Sequence, residues 1–208
     1  MKWTNKKGMP APVVFAVQEQ AESHKSEADI SVTGLIRPPQ MRVLEKRHWD
    51  RVVRDIADSI WTLFGSLLHG FLSAYKDEGA IVEERFFCDI LGWKVSGQPD
   101  LFWKNSGIIE DYKFTSCYSF ISGKIEWEQQ MNCYAHLLRV AGYEVKGLKI
   151  RAFLRDHMDS KVHPGGDYPE DKVMVQDIPL WDDATAKEFM ELRVRFHQQA
   201  WKQLDDEL

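Results

Sequence analysis

The chain has 208 residues, of which 44% are hydrophobic and 28% charged, and its formal net charge is −5. This is the composition of an ordinary globular domain. No window approaches the roughly eighteen apolar residues of a membrane-spanning helix. The acidic net charge argues against a protein that coats nucleic acid with its whole surface, although it leaves room for a local basic groove. The basic amino terminus lacks the apolar core of a signal peptide, so we expect a cytoplasmic protein.

Early prolines, followed by a stretch rich in Glu, Ser and Lys, predict a flexible segment over residues 1–30. Order is expected to begin at residues 30–36. Apolar residues at helical spacing then predict a helix over about residues 40–56 and a second, strongly apolar helix over about residues 59–75. Because its apolar stripe is so broad, we expect this second helix to be mostly buried.

The rest of the chain alternates strand patterns with helical ones. We predict strands over residues 81–87, 93–95, 101–103, 107–114, 147–154 and 172–178, and helices over residues 125–140 and 184–204. The order of helices, antiparallel hairpin, helix and strand predicts an α/β fold with one central mixed sheet flanked by helices. Residues 31–208 are therefore expected to form a single domain that ends in the C-terminal helix.

Two acidic residues flank a predicted hairpin. Asp100 precedes Leu-Phe-Trp, and Asp111 follows Ile-Ile-Glu, with Lys-Asn-Ser-Gly between the two runs. If Asn105 and Ser106 lie at the centre of the turn, the two aspartates face each other and Lys113 shares the face of Asp111. Two opposed carboxylates repel unless a cation lies between them, which indicates a metal site. A turn shifted by one residue would instead oppose Asp100 to Lys113 as an ordinary cross-strand ion pair.

Other polar residues interrupt apolar helices. His69 lies in the apolar helix beside Gly65 and Gly70, each of which disfavours a helix interior by about 1 kcal/mol relative to Ala. A neutral imidazole could complete a carboxylate metal site, whereas a histidine alone on an apolar helix is more often a core residue. Gln130 and Tyr134 lie four residues apart and share one face of a later helix. A buried glutamine on that face would need polar partners.

Basic residues concentrate between positions 37 and 54. Six basic residues against two acidic ones give this stretch a local charge of +4. The stretch is a candidate DNA contact, although a charged run is more often a solvated helix face. The arginines we predict to contact DNA are Arg37, Arg42, Arg47 and Arg51.

These motifs, taken in chain order, resemble the PD-(D/E)XK nucleases, in particular the RecB-like and phage-type exonuclease branch. The resemblance covers about residues 60–140 and rests on His69, Gly97-Gln98-Pro99-Asp100, Asp111-Tyr112-Lys113 and Gln130 with Tyr134. It implies a restriction-endonuclease-like core.

The resemblance also implies roles for single residues. The ligands of Mg²⁺ or Mn²⁺ would be Asp100, Asp111, the Tyr112 carbonyl and His69. Lys113 would position or deprotonate the attacking water, and Gln130 and Tyr134 would orient Lys113 or hold the scissile phosphate. Glu84 is a weaker candidate for assisting a second metal, because a solvated strand glutamate is its more ordinary interpretation.

The three cysteines limit which relatives the chain resembles. Cys88, Cys117 and Cys133 include no CxxC pair and no set of four, so we expect buried thiols and no iron–sulfur cluster. Several helicase-linked and CRISPR-associated members of the branch carry such a cluster, which favours a compact phage-type exonuclease.

The resulting expectation is a Mg²⁺- or Mn²⁺-dependent DNA exonuclease that acts on linear ends in recombination, repair or phage DNA processing. Its expected partners are single- or double-stranded DNA, a recombination or single-strand-binding protein, and further copies of the chain, but no membrane. If the chain is phage-encoded, its compartment would be the host cytoplasm. The alternatives are an endonuclease or junction resolvase, and a non-catalytic DNA-end-binding protein on the same fold.

Overall fold

The computed structural model describes residues 1–22 and 27–206. The strands are β1 (Lys2–Thr4), β2 (Ile30–Ser31), β3 (Val53–Asp55), β4 (Ala80–Val82), β5 (Phe86–Ile90), β6 (Trp93–Gly97), β7 (Leu101–Trp103), β8 (Ile108–Thr115), β9 (Gly147–Leu154) and β10 (Val173–Ile178). The helices are α1 (Ala11–Glu22), α2 (Val32–Ile36), α3 (Pro39–Arg47), α4 (Ile60–Leu72), α5 (Cys117–Ile121), α6 (Ile125–Val140) and α7 (Asp183–Asp206).

The central sheet has the strand order β10-β9-β8-β7-β4. Strands β8 and β9 are parallel, while the other neighbours are antiparallel, so the sheet is mixed. A smaller sheet, β2-β6-β5, lies beside it, and the short strands β1 and β3 pair with each other. Helix α6 packs on both the central sheet and the smaller sheet, and α7 packs on α6. The expected α/β class, with a mixed sheet flanked by helices, is confirmed.

The strand and helix patterns have simple physical causes. Residues of β9 alternate between half-buried and buried along the whole strand, as the period of two requires. The β7–β8 turn ends at Gly107, whose φ is +70° and whose missing Cβ would lie 2.8 Å from the Glu144 carbonyl oxygen. Only glycine fits that position without strain.

Gly97 allows α6 to approach the sheet closely. A Cβ at this position would lie 2.5 Å from a Leu137 methyl carbon and 2.8 Å from the Tyr134 ring. The close approach places the polar residues of α6 over the end of β6, where the chain turns toward β7.

The prediction of a flexible segment over residues 1–30 is wrong for the described part of that segment. Strand β1 pairs in parallel with β3, and α1 packs on α4 with Val17 fully buried. The cause is a partner far along the chain, which local composition does not reveal. Residues 23–26 of that segment lie outside the described residues.

The long helix predicted over residues 40–56 ends at Arg47, because the chain turns there to form β3.

The expectation that the apolar helix is mostly buried is also wrong. No residue of α4, all of which is described, is buried, and the exposed fractions of Trp61, Phe64 and Phe71 are 52%, 47% and 80%. The helix packs on β8 and α1 along one side, and its other side faces outward. Hydrophobic periodicity identifies an apolar face, but it does not show whether another element covers that face.

No described helix is long and apolar enough to cross a membrane.

Candidate metal centre and catalytic cleft

The β7–β8 hairpin brings Asp100 and Asp111 together. Its pairs are Leu101 with Glu110, Phe102 with Ile109 and Trp103 with Ile108, so the same register continued by one residue opposes Asp100 to Asp111. This is the first of the two registers considered above, and the shifted one is wrong. Both carboxylates are buried, with exposed fractions of 5% and 1%. The Tyr112 backbone N–H donates a hydrogen bond of 2.6 Å to Asp100 Oδ2, which fixes that side chain.

His69, Glu83 and Asp100 form a compact group of metal-ligating side chains. One ligand atom from each lies within 4.8 Å of the others. His69 Nδ1 is 3.1 Å from Glu83 Oε1 and 3.2 Å from Asp100 Oδ1. Helix α4 therefore places the histidine against the hairpin, as the sequence predicted, although His69 lies on a helix with no buried residue.

Glu83 was not among the residues predicted from the sequence. The predicted candidate was the neighbouring Glu84, which is exposed and is not part of this group. Glu83 has a left-handed backbone with φ of +51°, and its N–H donates to the Asp100 carbonyl oxygen over 3.1 Å. This contact joins residues seventeen positions apart, so no local pattern indicates it. The only available signal was the Glu-Glu pair directly after a short apolar strand.

Charge and burial shift the pKa values at this group. Hydrogen bonds to the Asp100 and Glu83 carboxylates raise the pKa of His69 to about 10. Burial, and then the neighbouring Asp111 carboxylate, raise the pKa of Asp100 to about 6, although His69 acts in the opposite direction. Without a metal, the imidazolium thus supplies the positive charge that the clustered carboxylates need.

Lys113 lies between the acidic group and α6. Its Nζ is 2.6 Å from Asp111 Oδ2 and donates a 3.0 Å hydrogen bond to Gln130 Oε1. Gln130 Nε2 in turn donates to the Tyr134 hydroxyl over 2.7 Å. Burial, and then the Asp111 charge, hold the pKa of Tyr134 well above its usual value, so the hydroxyl stays neutral. The predicted Lys113, Gln130 and Tyr134 are thus in one hydrogen-bonded row.

A cleft of about 770 Å³ opens onto all of these side chains. Helix α4 lines one side, and β4, β8 and α6 contribute further lining residues. Its lining residues include His69, Gly70, Glu83, Gln98, Asp111 and Lys113.

The donor set fits a divalent cation. Asp111 Oδ2 is buried and makes no hydrogen bond to any described residue, although the Lys113 ammonium lies beside it. The ammonium, 2.6 Å away, supplies positive charge to that oxygen, and a divalent cation among the carboxylates would supply more. Three carboxylates and one imidazole supply the mainly oxygen ligands of Mg²⁺ and Mn²⁺. Tyr112 contributes its N–H to Asp100, while the role of its carbonyl as a ligand stays a prediction.

The structure does not bring the four predicted DNA-binding arginines to the cleft. Arg42 donates to the Asp29 carbonyl oxygen and stacks on Trp93, while Arg47 donates to the Trp201 carbonyl oxygen. Arg37 pairs with Glu45, and Arg51 is exposed. Helix α3, which carries Arg42 and Arg47, packs on α7 rather than on α4. Among the described residues that line the cleft, none is one of these four.

Comparison with known proteins gives a likeness of fold. The crystal structure of SSO0001 aligns with a TM-score of 0.59 and 19% sequence identity, over 88% of this chain and 83% of that one. A phage related exonuclease from Haemophilus somnus 129PT aligns with a TM-score of 0.40 and 13% identity, over 94% of this chain and 82% of that one. No family model matches the sequence, and no curated protein matches it either. The mixed sheet and its flanking helices are consistent with a restriction-endonuclease-like fold.

Proposed function

We propose that this protein is a metal-dependent nuclease that hydrolyses phosphodiester bonds from the ends of DNA. The observation that carries the proposal is the position of Lys113 Nζ, which lies 2.6 Å from the buried Asp111 carboxylate and in the same cleft as His69, Glu83 and Asp100. A half-buried ammonium beside clustered carboxylates in an open cleft is an arrangement that suits phosphodiester hydrolysis. The sequence resemblance to the RecB-like and phage-type exonucleases supports DNA ends as the substrate.

The residues that would hold Mg²⁺ or Mn²⁺ are His69, Glu83, Asp100 and Asp111, with the Tyr112 carbonyl as a further ligand. When bound, the ion polarises the phosphate and lowers the pKa of a coordinated water. To act as a ligand, His69 must first lose the proton that it shares with the Glu83 and Asp100 carboxylates.

Lys113 provides the positive charge on the substrate side of the centre. Its ammonium is fixed between Asp111 Oδ2 and Gln130 Oε1, so it needs little reorganisation as negative charge grows on the phosphate oxygens. Tyr134 holds Gln130 by accepting from its amide nitrogen. The row therefore orients Lys113, which is one of the two roles that the sequence resemblance implied for Gln130 and Tyr134.

The decisive experiment is digestion of linear single- and double-stranded DNA labelled at either end, with a covalently closed circle alongside, in Mg²⁺, Mn²⁺ or EDTA. We expect metal-dependent loss of linear DNA, an intact circle, and a fall of about 10²- to 10⁴-fold in Lys113→Ala. The matched control is Lys146→Ala, which removes an exposed lysine paired with Glu144 and should be fully active. Cutting of the circle would indicate an endonuclease, and DNA binding without cleavage would indicate a non-catalytic end-binding protein.

A further inference from the structure

A hydrogen-bonded chain runs from the protein surface to the metal-ligating group. The exposed Arg85 donates through Nη2 to Gln98 Oε1 over 2.6 Å. Gln98 Nε2 then donates to Glu83 Oε2 over 2.8 Å. The other Glu83 oxygen lies 3.1 Å from His69 Nδ1. Among the described residues, each oxygen of the Glu83 carboxylate thus has a partner: Gln98 from the β6–β7 connection and His69 from α4.

Arg85 determines which way the Gln98 amide points. An arginine can only donate, so the amide oxygen must face it and the amide nitrogen must face Glu83. If the amide turned over, its oxygen would face the Glu83 carboxylate, and two acceptors would oppose each other. The guanidinium therefore acts on Glu83 through Gln98.

The backbone of Glu83 indicates that its position is specifically held. A non-glycine residue with φ of +51° is uncommon, and such residues persist where the surroundings fix them. Here the surroundings are the bond from its N–H to the Asp100 carbonyl oxygen and the bond from Gln98 to its side chain. Both contacts direct the carboxylate toward His69 and Asp100.

We propose that Gln98 and Arg85 are positioning residues that hold the Glu83 carboxylate as a metal ligand, so that affinity for the divalent cation depends on them. The proposal rests on the nuclease function above, because that function requires the metal centre. Groups that orient metal ligands typically change metal affinity by about 10- to 100-fold when they are removed.

The direction in which cation affinity changes when Arg85 is replaced distinguishes a positioning role from a purely electrostatic one. Loss of the positive charge of Arg85 near a cation site would strengthen cation binding if charge alone mattered. Loss of its hold on Gln98 would weaken cation binding, because the amide could turn and the carboxylate could leave its place. The two explanations predict opposite changes for the same variant.

The experiment is a Mn²⁺ titration of the DNA-free protein at constant pH, followed by calorimetry and by the electron paramagnetic resonance signal of unbound Mn²⁺. The variants are Arg85→Ala and Gln98→Met, and the matched control is Arg195→Ala, an exposed arginine of α7 paired with Glu191. We expect both variants to bind Mn²⁺ about 10-fold more weakly, and the control to bind like the wild type. Circular dichroism and thermal melting check that each variant is folded.

The results separate this inference from the proposed function. Unchanged or tighter Mn²⁺ binding by folded Arg85→Ala, with a wild type that binds Mn²⁺ and cleaves DNA, would overturn the positioning role alone. Weaker DNA binding by Arg85→Ala at unchanged Mn²⁺ affinity would also overturn it and would make Arg85 a phosphate contact. A wild type that binds no Mn²⁺ would overturn the metal centre and the inference together.

Discussion

Lys113 and Gln130 are joined by a 3.0 Å hydrogen bond, although one lies on the central strand β8 and the other on α6. Since Lys113 donates to the amide oxygen, the amide nitrogen is directed at Tyr134, which accepts over 2.7 Å. The tyrosine hydroxyl is thus the far end of a row that begins at the Asp111 carboxylate. The orientation of Lys113 depends on a residue that does not touch it.

This dependence predicts the effect of Tyr134→Phe. Removal of the hydroxyl leaves the buried Gln130 amide nitrogen without its acceptor, so the amide is free to turn and to release Lys113. Because small displacements of catalytic groups have large effects, we expect the single-turnover cleavage rate to fall by about 10- to 100-fold, at unchanged Mn²⁺ affinity. Tyr143→Phe is the control, since the Tyr143 ring packs on Phe102 away from the cleft. Equal rates for the two variants would remove Tyr134 from the mechanism.

Metal binding should release a proton from His69. In the metal-free protein the pKa of His69 is about 10, so the imidazole is protonated at pH 7.5, and a metal ligand must be neutral. Mn²⁺ affinity should therefore rise with pH between about 6.5 and 8.5. Below this range Asp100, with a pKa of about 6, also takes up a proton and weakens binding further.

Calorimetry of Mn²⁺ binding in buffers of different ionisation enthalpy measures this proton directly. We expect about one proton released per ion near pH 7.5, and none from His69→Asn. A wild type that binds the ion without any proton release would show that His69 is neutral or is not a ligand.

The parts of the structure that were predictable are those with strong local periodicity. Helix α6 and strand β9 have the predicted bounds. The helix ends close to Gly142, and the burial of side chains alternates along the whole length of the strand. The sequence left two hairpin registers open, and the structure has the one with Asn105 and Ser106 at the centre of the turn. These features made the predicted juxtaposition of Asp100 and Asp111 correct.

The parts that were not predictable depend on distant contacts. Glu83 joins the metal-ligating group only because Asp100 and Gln98 hold it in a left-handed backbone conformation, and β1 is ordered only because β3 lies beside it. The arginines of α3 formed a plausible basic run in the sequence, but packing of that helix on α7 keeps Arg42 and Arg47 away from the cleft. Periodicity contains no information about such partners.

Substitutions at Gly65 and Gly70, the two glycines of α4, should distinguish effects on substrate access from effects on helix stability. A Cβ at Gly65 or Gly70 would meet nothing within 4 Å, so internal packing does not require glycine at either position, and only Gly70 lines the cleft. Alanine at each position should stabilise the protein by about 0.5–1 kcal/mol, which thermal melting measures.

Leucine at the same two positions tests whether DNA passes over Gly70. Because the leucine side chain would occupy part of the cleft, we expect Gly70→Leu to raise KM for DNA about 10-fold or more, which corresponds to about 1.4 kcal/mol. Gly65→Leu is the matched control and should leave KM unchanged. A Gly70→Leu protein with wild-type KM would show that the substrate does not approach this wall of the cleft.

Phe71 and Phe102 test whether the apolar face of α4 is open to solvent. Phe102 is 1% exposed in the core of the central sheet, whereas Phe71 is 80% exposed on α4. Phe102→Ala should lower the free energy of unfolding by about 3–5 kcal/mol, because it leaves a cavity. Phe71→Ala should change it by less than about 0.5 kcal/mol, as for other surface substitutions. Denaturant titration at two protein concentrations measures both values. A large, concentration-dependent loss for Phe71→Ala would mean that a second copy of the chain covers this face in solution.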